Sequence, residues 1–333
     1  MNRIIHQYSQ HVLIGLAFLL LLPACESTSP APTAPAATIT PLAMDAQGYN
    51  DKGLECASKG DYACALANYN QAIQLKPEWA EPYDNRGLAY AAQGDYERAL
   101  ADWDQAIKLQ PDFADAFLNR GLAYYKKNDY ERAIADYDQA IRLHPNDYEA
   151  IYLRGRAYSD RGDYDQAIAD FDQVIRALPD NAFAYIARGI AYRRTGDLDR
   201  ALADDDRAVQ LRPNDPEAYY NRGNVYSDQH NWERAIADYD QALKLNAKLV
   251  NAYINRGIAY TNKGDLDRAI ADLDQAIQLQ SDRAEAYYNR GIAYALKKEN
   301  LKAILDFQRS IELSRDPEFI KKVDEQMNSL GAH

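Results

Sequence analysis

Glycine stands at positions 53, 87, 121, 155, 189, 223, 257 and 291, at a constant interval of 34 residues. Self-similarity at a fixed period of this length means that the chain is an array of small structural units, none of which buries its apolar face alone. Eight copies of 34 residues make 272 of the 333, from Ala46 to Pro317. Measured from each Gly, Tyr49, Tyr83, Phe117, Ile151, Tyr185, Tyr219, Tyr253 or Tyr287 lies four residues before it. Tyr90, Tyr124, Tyr158, Tyr192, Tyr226, Tyr260 or Tyr294 lies three after it, with Cys56 in the first copy. That spacing is one face of an amphipathic helix. The second half of each copy has the same period, as in Tyr130, Ala133, Ile134, Tyr137 and Ile141, with Ala always twelve after the Gly. Each copy is therefore two helices. Gly-Asp pairs such as Gly94-Asp95 and Gly162-Asp163 separate them, Gly ending one helix in the left-handed region and Asp capping the next. Pro77, Pro111, Pro145, Pro179 and Pro213 close five copies, because the residue before Pro resists a helical conformation.

A 34-residue helix-turn-helix unit with this pattern resembles the tetratricopeptide repeat. The resemblance implies an all-α, right-handed α-solenoid with a concave groove lined by the first helices, and a role in protein-protein interaction. The eight copies run 46–79, 80–113, 114–147, 148–181, 182–215, 216–249, 250–283 and 284–317. Residues 318–333 carry Phe319, Ile320, Val323 and Met327 at helical spacing and read as a capping helix and tail.

Seven copies place Arg directly before the Gly (Arg86, Arg120, Arg154, Arg188, Arg222, Arg256, Arg290) and Asp fifteen after it (Asp102, Asp136, Asp170, Asp204, Asp238, Asp272, Asp306). The first copy lacks both, with Lys52 and Asn68. Their joint loss predicts that they touch, as a bidentate pair inside each repeat. Asp205 stands where sister copies have Trp103, Tyr137, Phe171, Tyr239, Leu273 or Phe307. A carboxylate at a core position costs stability unless paired, which predicts a loosened fifth repeat, with a hinge or ligand role as the alternative.

Residues for binding must come from the first helices. Two before the Gly lie Asn85, Asn119, Asn221, Asn255 and Asn289, interrupted by Asp51, Leu153 and Ala187. An amide both donates and accepts, so such a row can hold an extended peptide backbone whatever its sequence. It resembles the asparagine ladder of some tetratricopeptide-repeat proteins; the bland reading is that Asn is merely frequent there. Tyr152, Tyr220 and Tyr288, three before the Gly, offer partner anchoring or inter-repeat packing. Lys126, Arg156, Arg193 and Arg194 form a candidate basic spot for acidic ligands, or are solvated side chains.

The balance of 38 Lys+Arg against 50 Asp+Glu, net -12, argues against nucleic acid as a partner. The five His show no metal spacing, and there is no phosphate loop or Cys/His pair for hydrolysis. No enzyme activity, catalytic residue, metal or cofactor is expected.

The N-terminus reads as an address. Val12 to Leu22 is an apolar run of eleven residues, too short for a helix of 1.5 Å rise to cross about 30 Å of hydrocarbon, and residues 1–24 read as a signal peptide. Leu22-Pro23-Ala24-Cys25 resembles the bacterial lipobox, although Pro23 departs from the usual small or aliphatic residue. The resemblance makes Cys25 the lipidated residue of a mature protein, followed over 25–45 by a Pro/Ala/Ser/Thr-rich tether; plain secretion is the alternative. Glu26 in place of Asp favours the outer membrane over the inner. In the oxidising periplasm Cys56 and Cys64 are a disulfide candidate, and their eight-residue separation resembles cysteine-linked helix repeats; otherwise they are two small buried thiols. The expected function is a lipid-anchored periplasmic scaffold that binds envelope proteins or extended peptide segments in its groove. A pilotin-like factor for secretin or pilus subunits, and a binder of acidic peptides or glycans, are the alternatives. Oligomeric state is not legible.

Overall fold

A computed structural model describes residues 44–331. The signal segment, Cys25, nearly all of the tether and the last two residues lie outside the described residues. Among the described residues there are seventeen α-helices and no strand, so the all-α repeat architecture holds.

The described chain divides into two compact units at Leu153–Arg154. The first contains the hairpins α1 (Ala46–Ser58) with α2 (Tyr62–Leu75), α3 (Glu81–Ala92) with α4 (Tyr96–Leu109), and α5 (Ala114–Lys126) with α6 (Tyr130–Leu143). Helix α7 (Tyr148–Arg161) carries the division. The second unit continues through α8 (Tyr164–Ala177), α9 (Ala182–Arg194), α10 (Leu198–Leu211), α11 (Pro216–Asp228), α12 (Trp232–Leu245), α13 (Val250–Asn262), α14 (Leu266–Leu279), α15 (Ala284–Leu296) and α16 (Asn300–Leu313), and ends in α17 (Pro317–Ser329). Leaving α7 aside, every first helix packs on its own second helix within its unit, and each second helix on the first helix that follows it. α17 lies on α16, with Val323 fully buried beside Tyr288 and Phe307.

The hairpin follows from local chemistry. Six second helices begin with Asp61, Asp95, Asp129, Asp197, Asn231 or Asp265, whose side chain accepts the backbone N–H three residues on at 3.0–3.3 Å. This satisfies one of the orphan donors of the first turn. Gly94, at φ +80°, supplies the left-handed residue that ends α3. The repeat glycine has a different task. A Cβ on Gly87 would lie 2.8 Å from the Trp103 indole, and one on Gly121 2.8 Å from the Tyr137 ring. Both rings are at most 1% exposed. In six of the eight copies the repeat glycine thus seats a ring of the second helix against a bare backbone on the first; Asp205 and Leu273 take the ring's place at Gly189 and Gly257.

All seven predicted Arg–Asp pairs form. In each, Nε donates to Oδ2 and Nη2 to Oδ1 at 2.6–2.9 Å. The remaining nitrogen does something the period did not predict. Nη1 reaches the preceding repeat: Arg86 to Asn70, Arg120 to Asp104, Arg188 to Asp172, Arg222 to Asp206, Arg256 to Asp240 and Arg290 to Asp274. One planar guanidinium thus ties two helices of its own repeat to the second helix before it. Its signal was the Asp two residues after six of the seven bridging Asp, as in Asp102-Trp103-Asp104. The first repeat has no such Arg. There Lys52 turns to Glu55 and Asn68 to the Cys64 carbonyl, while Cys56 and Cys64 join α1 to α2 through a disulfide with S–S 2.03 Å and Cα atoms 5.7 Å apart.

Candidate functional site

The asparagine row divides by unit. In the first, Asn85 Nδ2 donates to Asn50 Oδ1 at 3.0 Å, and Asn119 Nδ2 to Asp84 Oδ1 at 2.9 Å. Asn85 and Asn119 are 7% and 8% exposed. Burial pushes the Asp84 carboxyl up to about 7, against the Asn119 bond that favours its charged form. These amides rivet neighbouring first helices together and are not presented to a peptide, which corrects that expectation for Asn85 and Asn119. In the second unit Asn221 and Asn289 donate to their own helix, at Glu217 O and Glu285 O, 2.9 and 2.7 Å away. Asn255 Nδ2 donates back to the preceding repeat, to the Tyr220 hydroxyl at 3.2 Å and to Asn224 Oδ1 at 2.8 Å. The row is a set of local seams and not a continuous ladder, because the partner three before the preceding Gly changes from Asn50 and Asp84 to Leu, Ile and Tyr along the chain.

The tyrosines separate in the same way. Tyr288 is 8% exposed, wedged between Phe307 and Phe319 with the Lys322 ammonium over its ring. It belongs to the junction with α17, so anchoring a partner is not its task. Tyr220 is half-buried, its ring 6.1 Å from that of Tyr239. Tyr152 is also half-buried. Arg156 and Arg194 are exposed, whereas Arg193 Nε is bonded to Asp228 Oδ2 at 2.6 Å. That ion pair links consecutive repeats and removes Arg193 from any free basic spot.

Around this pair the second unit breaks its own pattern. Asn224 replaces the Leu or Ile found at its position in six other copies, and the Tyr239 hydroxyl donates to Asn224 Oδ1 at 2.9 Å. Burial holds the Tyr239 hydroxyl well above its ordinary value. Arg193, Asn224, Ser227, Asp228, Tyr239, Asn255 and Ile258 enclose a pocket of about 150 Å³. Asp205, in the fifth repeat, is 1% exposed, its Oδ1 has no hydrogen-bond partner, and burial holds it well above the ordinary carboxylate range. The fifth hairpin is nevertheless intact: Arg188 keeps both bonds to Asp204 at 2.6–2.8 Å.

Asn224 and Asp228 escaped sequence reasoning, which beyond the Gly singled out only the cations Lys126, Arg156, Arg193 and Arg194. The departure of Asn224 from Leu or Ile was the available signal. Among the described residues no group of three or more His, Cys, Asp or Glu is placed to hold a metal ion, and no helix is long and apolar enough to cross a membrane.

Comparison with known proteins sets this geometry in a family. A sequence comparison with curated proteins finds no match. Among solved structures, the chain is similar to yeast Tom70 (TM-score 0.58, 20% identity, covering 91% of this chain and 67% of that one). It is also similar to the APC/C hetero-tetramer Cut9-Hcn1 (TM-score 0.62, 19% identity, 83% of this chain and 54% of that one). A third is a tetratricopeptide repeat protein from Parabacteroides merdae (TM-score 0.54, 21% identity, 84% and 96%). At these identities the likeness is one of fold. Models described as TPR repeat match residues 53–94, 87–128 and 258–298. Models described as tetratricopeptide repeat match 114–147, 152–216, 216–249 and 284–317. With matches in every copy, the chain belongs to the tetratricopeptide-repeat family.

Proposed function

We propose that this protein is a lipid-anchored scaffold of the bacterial cell envelope that binds other envelope proteins, or extended segments of them, through the first helices of its second unit. Family membership supports a role in protein-protein interaction. The observation that carries the finer reading is the departure from pattern around Asn224. Elsewhere the first-helix Asn amides are spent on a neighbouring first helix or on their own helix, whereas Asn224, Asp228 and Asn255 line a pocket that the repeat itself does not need. The anchor reading is supported by the signal-like run ending at Cys25 and by the Pro-rich stretch after it.

A photo-crosslinking residue placed at the exposed positions Arg156, Arg194 and Asp228 in living cells tests the binding surface. Envelope proteins should be captured from these positions and not from exposed second-helix positions such as Glu131. Equal capture from both faces would sink the reading, and capture of secretin or pilus subunits alone would replace the adaptor with an assembly factor. Palmitate incorporation should vanish in Cys25→Ser; unchanged labelling would remove the anchor.

A further inference from the structure

The pocket beside Asn224 has a donor and acceptor pattern that selects among ligands. Asn224 is 5% exposed. Its Oδ1 accepts from the Tyr239 hydroxyl and from Asn255 Nδ2, which fills both lone pairs of that carbonyl. The amide nitrogen of Asn224, with two N–H donors, meets no acceptor among the described residues. Asn224 lines the pocket, and Leu or Ile, which offer no donor, occupies this position in six sister copies. Asn255 uses its nitrogen on Asn224 and the Tyr220 hydroxyl, which leaves its carbonyl as an acceptor. Asp228 gives one oxygen to Arg193 Nε and keeps the other.

The lining therefore offers a donor from Asn224 and acceptors from Asn255 and Asp228, and its formal charges, Arg193 against Asp228, cancel. A ligand carboxylate would be brought against Asp228, and an ammonium against the Arg193 guanidinium. A pocket of about 150 Å³ has room for the end of one side chain. The geometry points to a recognition pocket for a side-chain carboxamide, the Gln or Asn of a bound protein segment, whose carbonyl accepts from Asn224 and whose NH2 donates to Asn255 and Asp228. This assignment rests on the scaffold reading above and narrows its partner to segments carrying such a residue.

The test uses the full ¹⁵N-labelled chain and pentapeptides of the form acetyl-Ala-Ala-Xaa-Ala-Ala-N-methylamide, with Xaa as Gln, Asn, Glu, Lys or Leu, titrated to millimolar concentration. The N-methyl end keeps a second primary amide out of the probe. The Gln or Asn peptide should move the side-chain amide signals of Asn224 and Asn255 and bind at least about tenfold more tightly than the Glu, Lys and Leu peptides, since a site built to hydrogen-bond rejects analogues that leave its groups unpaired. Asn224→Leu restores the side-chain type of the sister copies, so it should fold and lose that preference. Binding without discrimination, or a preference that survives Asn224→Leu, overturns the carboxamide assignment and leaves the scaffold reading standing. Absence of binding by every peptide overturns the assignment, and the scaffold reading falls with it only if the in-cell crosslinks fail as well.

Discussion

The third repeat, in the first unit, and the fifth, in the second, are built on one template and differ at its centre. In the third, Gly121 faces the fully buried ring of Tyr137; in the fifth, Gly189 faces Asp205, whose Oδ1 would lie 2.9 Å from an added Cβ. Both keep the bidentate bridge, Arg120 to Asp136 and Arg188 to Asp204, at the same 2.6–2.8 Å. The shared bridge and the different centre show that the hairpin has two separable supports. Ring against glycine is a packing constraint, and Arg against two carboxylates is a polar clamp that spans repeats. One of them can be lost from a copy while the other holds its geometry.

The packing support should break most severely. Gly121→Val places branched carbon into a ring that has no room to move, at 2.8 Å for the first added atom, and should cost about 4 kcal/mol of stability in the first unit. At Gly189 the nearest atom is a carboxylate oxygen at the end of a rotatable side chain, and the next is the Ala201 carbonyl at 3.4 Å. Gly189→Ala should therefore cost far less than Gly121→Ala. Hydrogen exchange in the affected hairpin, with urea unfolding of each variant, checks both. Equal losses at the two glycines would show that helix propensity or backbone strain, and not the ring, sets the requirement.

Next in size is the clamp. Arg120→Ala leaves Asp136 buried without its cation and frees Asp104, and should cost about 3 kcal/mol. The bond to Asp136 holds Arg120 above its ordinary value, so the guanidinium stays charged at any pH at which the fold survives. Arg120→Lys keeps the charge but not the planar fork, and should recover less than half of the loss. Full recovery by Lys would mean that charge alone matters. The loss should appear as weakened protection in both the second and third repeats, because Asp104 and Asp136 lie in successive copies. Weakening confined to the third would mean that the cross-repeat bond carries no energy.

The sequence was most legible where the same physics recurs in every copy. The interval between glycines made the hairpins readable, and the paired loss of Arg and Asp in the first copy made the bridges readable. The second carboxylate of the clamp recurs as well, as in Asp102-Trp103-Asp104, yet a repeated Asp on a helix looks like a solvated face until the geometry shows which nitrogen it meets. Site residues were less legible because their roles depend on the preceding repeat. Asn119 and Asn255 occupy the same register, but one meets a buried carboxylate on Asp84 and the other a hydroxyl on Tyr220 and the carbonyl of Asn224. Tyr288 looked like Tyr220 until α17 covered it. Period identifies scaffold; only the breaks in it, at Asp205 and Asn224, carry information about what this copy does differently.

The smallest of these effects has the opposite sign. Asp205→Phe returns the fifth repeat to the pattern of its sisters and removes a buried carboxyl with an unsatisfied oxygen, so it should stabilise the second unit by about 2 kcal/mol at neutral pH. The pH dependence separates this from a plain gain in apolar contact. Burial raises Asp205 above its unfolded value, so the folded wild type holds its proton over a range in which the unfolded chain has already released it. Wild-type stability must then fall as pH rises from the ordinary carboxylate range to the raised value, since the slope follows the excess of protons bound in the unfolded state over the folded. Phe at this position has no such proton, so the advantage of the variant should be least in acid, grow with pH across that window and level off above it. Asp205→Asn, which cannot ionise and brings no ring, should show the same flattening with a smaller gain. An advantage of Asp205→Phe that stays constant with pH would mean that the ring alone stabilises and that the carboxyl is charged in the folded state, which its burial beside Asp204 argues against.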